Sequence, residues 1–412
     1  MAPARANTTD HACCTAAAEC AAANFSVSAP TTESVPTPNT AEEGFTGSDT
    51  SVQYSSSNNG YTAYPQKIQP AYVQEFNLTL EYALSRTASL QAGYVGETGQ
   101  HIEDYGNVNQ LTVNNDQTSA PFYNSQYIGV DGIDSALGVG GNGGLLITES
   151  RAKMNYNSLQ AVFRQRLTHG LEYTVNYTWG KAMTNSLGNY GLNVNGFSGA
   201  FESYYNPAVD MGLAGYDIKH NLSATGVYAL PIGRGKEYLS STSRVLDEVI
   251  GGWKLSTAVV AYSGFPENIT GGSSNSNSYG ANRVNQYRKL KISGRSNANW
   301  FGTDPSAVPC LTAGVDNGTC AFGVPANNSF GTSHNGSVRG PGYFNTDMAA
   351  FKDFHIFGEH VVGFRFDAFN AFNIVSYGNP DTGINDSNYG NVSLQGTRSV
   401  ERHLQFSAKY SF

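Results

Sequence analysis

Apolar and polar residues alternate one by one over residues 400–412. Leu404, Phe406, Ala408, Tyr410 and Phe412 take every second position, and His403, Gln405, Ser407, Lys409 and Ser411 lie between them. A period of two sends alternate side chains to opposite faces of a strand. The same pattern recurs along the chain, usually in pairs of segments. Tyr72, Gln74, Phe76, Leu78, Leu80 and Tyr82 share one face, and Ala88, Leu90, Ala92 and Tyr94 follow after a turn near Ser85 and Arg86. Leu159, Ala161, Phe163 and Leu167 alternate with Gln160, Arg164 and Arg166. Thr168, His169 and Gly170 then turn the chain into Leu171, Tyr173, Val175, Tyr177 and Trp179. Weaker examples are Leu222, Ala224, Tyr228 and Leu230, and Trp253, Leu255, Val259 and Ala261. Phe344, Met348, Ala350, Phe354 and Ile356 lead to a turn at Gly358, from which Val362, Phe364, Phe366 and Ala368 return. With the terminal segment, about nine strands are legible, each near the ~9–11 residues that a tilted strand needs to cross a hydrocarbon layer.

Repetition of this kind predicts an all-β protein, an antiparallel transmembrane β-barrel, partial or small, of about ten strands. Connection lengths agree with it. Short links at Arg86, His169 and Gly358 alternate with long Gly-, Asn- and Ser-rich stretches over 97–155, 184–216, 265–342 and 374–399. Membrane barrels keep short turns on the periplasmic side and long loops outside. The link over 231–252 is intermediate, with a short helix expected over 245–250. If Phe412 ends at the periplasm, the strand at Tyr72 runs downward and needs a partner before it. That partner is either a weak strand at Thr50, Val52 and Tyr54 or a sheet encoded upstream, because an open edge in lipid leaves backbone groups unpaired at several kcal/mol each.

Composition changes the picture in three ways. Charged residues make up 14% of the 412, against the ~25% of a typical soluble domain. No apolar run approaches the ~20 residues of a spanning helix, but a barrel shows lipid only every second residue, so this does not count against it. The net charge of −8, without a basic stripe, argues against nucleic acid as a partner. Residues 1–45, rich in Ala, Thr, Pro and Glu, read as a disordered leader, and 46–412 as the barrel region without a plug. The first 23 residues lack the apolar core of an export signal, although the reading places the chain in the outer membrane of a Gram-negative cell.

Candidate chemistry is sparse. Residues 231–236 look like a phosphate loop, but Leu230 and Glu237 stand where that motif needs Gly and Ser or Thr. Gly196, Phe197, Ser198 and Gly199 lack the second glycine of a nucleophile elbow. Asp217 and His220 would point to opposite faces of a strand. No catalytic, cofactor-binding or metal-binding residue is assigned, and the chain is expected not to be an enzyme. Arg365, Asp367 and Glu401 read as lumen-facing charges on neighbouring strands. Cys310 and Cys320 could close a loop disulfide or remain two free thiols; Cys13, Cys14 and Cys20 lack a His at metal-ligand spacing. Tyr72, Tyr82, Tyr94, Tyr177, Trp179 and Trp253 suit aromatic girdles at strand ends. Leu404, Phe406, Tyr410 and Phe412 suit the edge signal read by the barrel-assembly machinery. The loop over 263–341 suits a polar external ligand such as a glycan.

Five stretches, read in order, resemble Oar-like TonB-dependent receptors of acidobacteria and related bacteria. They are NYNSLQAVFRQRLTHGLEYTVNYTWGKAM from Asn155, DIKHNLSATGVYALPIGRGKEY from Asp217, GGWKLSTAVVAYSGFP from Gly251, VRGPGYFNTDMAAFKDF from Val338 and FRFDAFNAFN from Phe364. The resemblance implies a barrel of about 22 strands filled by an N-terminal plug, often preceded by a carboxypeptidase-regulatory-like domain. Fewer than half those strands are legible here, with no plug and no energy-coupling box, so the likeness is to the C-terminal part of such a barrel. It implies uptake or binding of an unidentified ligand, with outer-membrane lipid as surroundings. The TonB energy-coupling system becomes a partner if a plug domain is encoded upstream. The alternative is a structural or adhesive surface barrel that transports nothing.

Overall fold

The computed structural model describes residues 27–28, 53–54, 61–63, 68–107, 145–186, 201–271, 282–326, 329–392 and 401–412. Among them, nine long strands form one antiparallel sheet in simple chain order. They are β1 (Tyr72–Ala83), β2 (Ala88–Asn107), β3 (Leu145–Thr168), β4 (Leu171–Thr184), β5 (His220–Ala229), β6 (Lys254–Tyr262), β7 (Tyr343–Phe357), β8 (His360–Phe369) and β9 (His403–Ser411). Each pairs with its chain neighbours, so the sheet is an up-and-down meander. No helix among the described residues is long and apolar enough to cross a membrane.

Local chemistry sets the short turns. His169 and Gly170 both have positive φ, 50° and 81°, as a two-residue type I′ hairpin requires. A Cβ on Gly170 would lie 2.7 Å from the Ala229 carbonyl oxygen, so only glycine fits there. Gly358, at φ 55°, opens the β7–β8 turn. At the β1–β2 turn the Ser85 hydroxyl accepts a hydrogen bond from the Ala88 N–H at 3.0 Å. Between β5 and β6 lies the expected small helix, α1 (Arg244–Ile250).

Register carries the apolar face unbroken across the sheet. Leu80 pairs with Ala92, Ala92 with Ala161, Ala161 with Tyr177, Tyr177 with Leu222, Leu222 with Ala261 and Ala261 with Phe344. A lower row runs Leu171, Tyr228, Leu255, Ala350, Phe366, Phe406. These side chains are not covered by a second layer: Leu78 is 66% exposed, Leu80 69% and Phe406 67%. The other face is polar, with Thr174, Asn176 and Ser223 on neighbouring strands and an Asn176–Ser223 hydrogen bond at 3.3 Å.

Three expectations need correcting. First, the ends of the 97–155 stretch are not loop. β2 and β3 are 20 and 24 residues long and stay paired out to Asn107–Leu146, with irregularities between Gly99 and Asp104. Their polar sequence is compatible with strands standing in water, where side chains need not alternate. Second, Tyr54 does not begin the wall; Gln53–Tyr54 pairs with Val27–Ser28 in a separate ladder. Third, Arg365 pairs with Asp367 two residues along its own strand, at 2.7 Å, and Glu401 lies before β9 begins. Apart from Val27–Ser28, the leader over 1–45 lies outside the described residues, as do Cys13, Cys14, Cys20 and Ser198.

Candidate functional site

The ends of the wall differ. Turns 84–87 and 169–170, the 230–253 connection, turn 358–359 and the chain end all lie at one end. The long connections lie at the other, and three of them fold together. The described residues of 263–342 and of 370–392 build a cluster of Ile269, Val284, Phe301, Ala307, Ala321, Phe322, Val324, Val338 and Ile384, and 201–219 joins the layer through the ion pairs of Arg283. Short ladders stitch the layer: Pro266–Glu267 with Val338–Arg339, and Asn285–Gln286 with Phe322–Gly323. Cys310 and Cys320 are joined by a disulfide, and the Arg288 guanidinium donates to the Cys320 carbonyl and to Asp316 at 2.6 Å.

One buried cation holds two connections together. Arg283, 2% exposed, donates to Glu202 at 2.5 Å, to Asp210 at 2.7 Å, and to the carbonyls of Val209 and Ser333 at 2.9 and 2.8 Å. Burial pushes the Glu202 carboxyl up to about 7 and Asp210 up to about 6, against the pull of the guanidinium. Two carboxylates sharing one cation in a dry site leave an excess negative charge, which protonation relieves. Glu267 is buried with no ion pair to a cation among the described residues. Its Oε1 has no hydrogen-bond partner, and burial lifts its carboxyl to about 9. Nearer the wall, Arg339 bonds to Asp217, which also accepts from the Ala182 N–H at 2.6 Å. His220 instead meets the Tyr177 hydroxyl at 2.8 Å, so Asp217 and His220 are not brought together.

The residues singled out from the pattern all share the apolar face. Tyr72 lies at the loop end of β1 and Tyr82 near its turn end. Trp179 pairs with His220, the first residue of β5, and Tyr177 with Leu222. Trp253 immediately precedes β6 and packs edge-on against Phe354 and Phe364. Tyr94 differs: it pairs with Leu78, half-way along β1, and its hydroxyl donates to Asn157 at 2.6 Å. Leu404, Phe406 and Tyr410 are exposed on β9, which pairs through one edge with β8, and Phe412 is exposed just past its end. The Tyr410 hydroxyl reaches His360 at 2.6 Å, and the His360 ring stacks with those of Tyr410 and Phe412.

A continuous apolar face open to the surroundings, backed by a polar face, suits a wall between lipid and water. Residues 5–405 match the family model described as an outer membrane beta barrel domain. The chain belongs to that family. It is therefore an outer-membrane protein, with strands as its crossing elements. By the general rule for such barrels, the short-turn end faces the periplasm and the loop layer faces outward. The ferric-catecholate import receptor Fiu of Escherichia coli K12, in its closed form, is similar at 10% identity and a TM-score of 0.37. That match covers 85% of this chain and 29% of Fiu. The outer membrane transporter YddB of Escherichia coli is similar at 10% identity and a TM-score of 0.39, covering 87% of this chain and 34% of YddB. The chain thus spans about a third of either structure. No curated protein matches it.

Sequence reasoning missed Arg283, Glu202, Asp210 and Glu267. Arg283 lies 73 residues from Asp210 and 81 from Glu202, and nothing local marks any of the four. Lys352 had a visible signal: it interrupts the apolar series Met348, Ala350, Phe354 on β7.

Proposed function

We propose that this chain is the C-terminal part of the barrel of a TonB-dependent receptor, and that its interlocked outer loops take part in binding or uptake of a polar external ligand. It performs no catalytic step in this reading. The observation that carries it is the loop layer: the 263–342 connection shares a dry core with 370–392 and a buried cation with 201–219, so three consecutive outer connections are tied in series. A surface ordered in advance binds without the entropy cost of arranging mobile loops. The five receptor-like stretches support the family subtype. The edges of the sheet support the word "part". Among the described residues β1 and β9 each pair on one side only, and bare strand edges in hydrocarbon cost several kcal/mol per unpaired group. Further strands would close the wall, and a plug accompanying them would connect it to the TonB system. Leu404, Phe406, Tyr410 and Phe412 serve as the edge recognised by the barrel-assembly machinery. Deletion of Phe412 would then lower outer-membrane levels, and unchanged levels would remove that role.

The function is tested by screening the purified protein on a glycan array and following the bound glycan into cells. Accumulation that stops when a protonophore collapses the proton-motive force supports a receptor. Binding without accumulation, insensitive to the protonophore, would instead make the chain an adhesive or structural barrel.

A further inference from the structure

The connection between β5 and β6 is the long exception among the periplasmic links, and its helix is built the wrong way round for water. At ~100° per residue, Val245, Leu246, Val249 and Ile250 of α1 fall on one side and Arg244, Asp247 and Glu248 on the other. On the polar side Asp247 turns into the protein, while Arg244 and Glu248 stay exposed. The Asp247 carboxylate accepts from the Arg234 N–H at 2.6 Å, and a Cβ on Gly233 would lie 2.5 Å from that same oxygen. Asp247 and Glu248 also line a small cleft with Lys254, Asp353 and His355, which belong to the polar face of the wall. The apolar side is left open: Val245 is 80% exposed and Val249 60%, and Tyr238 and Leu239 earlier in the same connection are exposed as well.

This placement is held firmly. β7 runs on past Phe351, the partner of the first residue of β6, and α1 sits beside that overhang. Lys352, on the apolar side of β7 yet only 6% exposed, donates its ammonium to the Asp247 and Glu248 carbonyls at the helix end. The Trp253 indole N–H donates to the Val249 carbonyl at 2.9 Å. Carbonyls at a helix C-terminus lack partners within the helix and favour cations. Here Lys352 and Trp253, from the lipid-facing side, donate to the Glu248 and Val249 carbonyls, and Lys352 also reaches the Asp247 carbonyl that already accepts from the Gly251 N–H at 2.8 Å. Through Trp253, Phe354 and Phe364 the helix joins the apolar belt without a break.

We propose that residues 238–250 form an interfacial anchor, with α1 lying in the periplasmic leaflet of the outer membrane and Val245, Leu246 and Val249 at the boundary of headgroups and acyl chains. Continuity with the lipid-facing belt selects phospholipid as the occupant. The inference rests on the membrane wall and is independent of what the loops bind.

The full chain, with Cys13, Cys14 and Cys20 replaced by serine and the Cys310–Cys320 disulfide kept, is labelled with a small fluorophore at Val249→Cys, Glu248→Cys or Leu80→Cys. It is then folded into phosphatidylcholine vesicles carrying a nitroxide near the headgroup. In vesicles where the Leu80→Cys label is quenched, the label at 249 is expected to be quenched several-fold more than that at 248. Equal quenching at 248 and 249, or a label at 249 open to aqueous iodide and untouched by nitroxide lipid, would overturn the anchor. A label at 249 shielded from both quenchers would also overturn it, because a protein partner or a second copy would then be the cover.

Discussion

Phe406 and Phe322 are the same residue put to opposite uses. In the wall Phe406 is 67% exposed and belongs to a face with no covering layer; in the loop layer Phe322 is 1% exposed and lies in a packed cluster. The loop layer obeys the ordinary rule of apolar inside and polar outside, because water surrounds it. The wall reverses the rule because hydrocarbon surrounds it. Charge follows the same division. The loop layer can bury Arg283 against two carboxylates, while the wall keeps Arg365 and Asp367 on its polar face. Each region is thus stabilised by a different solvent, and each should fail under different substitutions.

The largest separation comes from Arg283→Met. Removing one partner of a buried ion cluster costs about 3–5 kcal/mol, and the loss should be confined to the loop layer. Hydrogen exchange should speed up over 201–217 and 282–288 and stay unchanged in β4 and β5. The effect should be smaller at pH 5 than at pH 8, because Glu202 and Asp210 already titrate high and become neutral in acid. In the wall, Val175→Arg places a charge in the middle of the lipid-facing side and should cost about 2–4 kcal/mol. Asn176→Arg, one residue on and facing the lumen, should cost well under that. Urea unfolding from phospholipid vesicles measures both, and equal costs would end the two-faced reading of β4.

Replacing Cys310 and Cys320 together by serine should loosen the loop layer by about 2–3 kcal/mol, the chain entropy of a loop this short. Faster protease cleavage within 311–319, with the wall intact, is the expected result. Glu267→Gln has the smallest effect and the opposite sign. The folded layer raises this carboxyl from an ordinary 4.5 to about 9, so the folded state holds a proton that the unfolded chain releases. Stability is therefore greatest below about pH 4.5 and falls as pH climbs toward 9. Glutamine removes that loss but must bury an amide, so the layer should gain about 1–2 kcal/mol at pH 8 and nothing at pH 4. Thermal exchange profiles at the two pH values measure it.

The wall was legible because alternation is a property of neighbouring residues. Tyr72 to Tyr82 or Leu404 to Phe412 display it without reference to anything distant. The turn at His169 and Gly170 was legible for the same reason, since the φ values it needs are set by two residues. Strand length was misread where polar residues such as Asp104 and Glu149 continue the pairing of β2 and β3. There the backbone ladder persists after the two-solvent pattern has ended.

Local sequence thus determined which residues form strands, which side of each is apolar, and that the whole belongs in an outer membrane. Only the tertiary structure decided that three loops condense into one layer, two of them joined through Arg283 and two through the apolar cluster, and that Lys352 leaves its apolar series to cap a helix. The reason is range. Solvent preference is carried by each residue and repeats at short period, whereas an ion cluster spanning 81 residues exists only after folding has brought its members together.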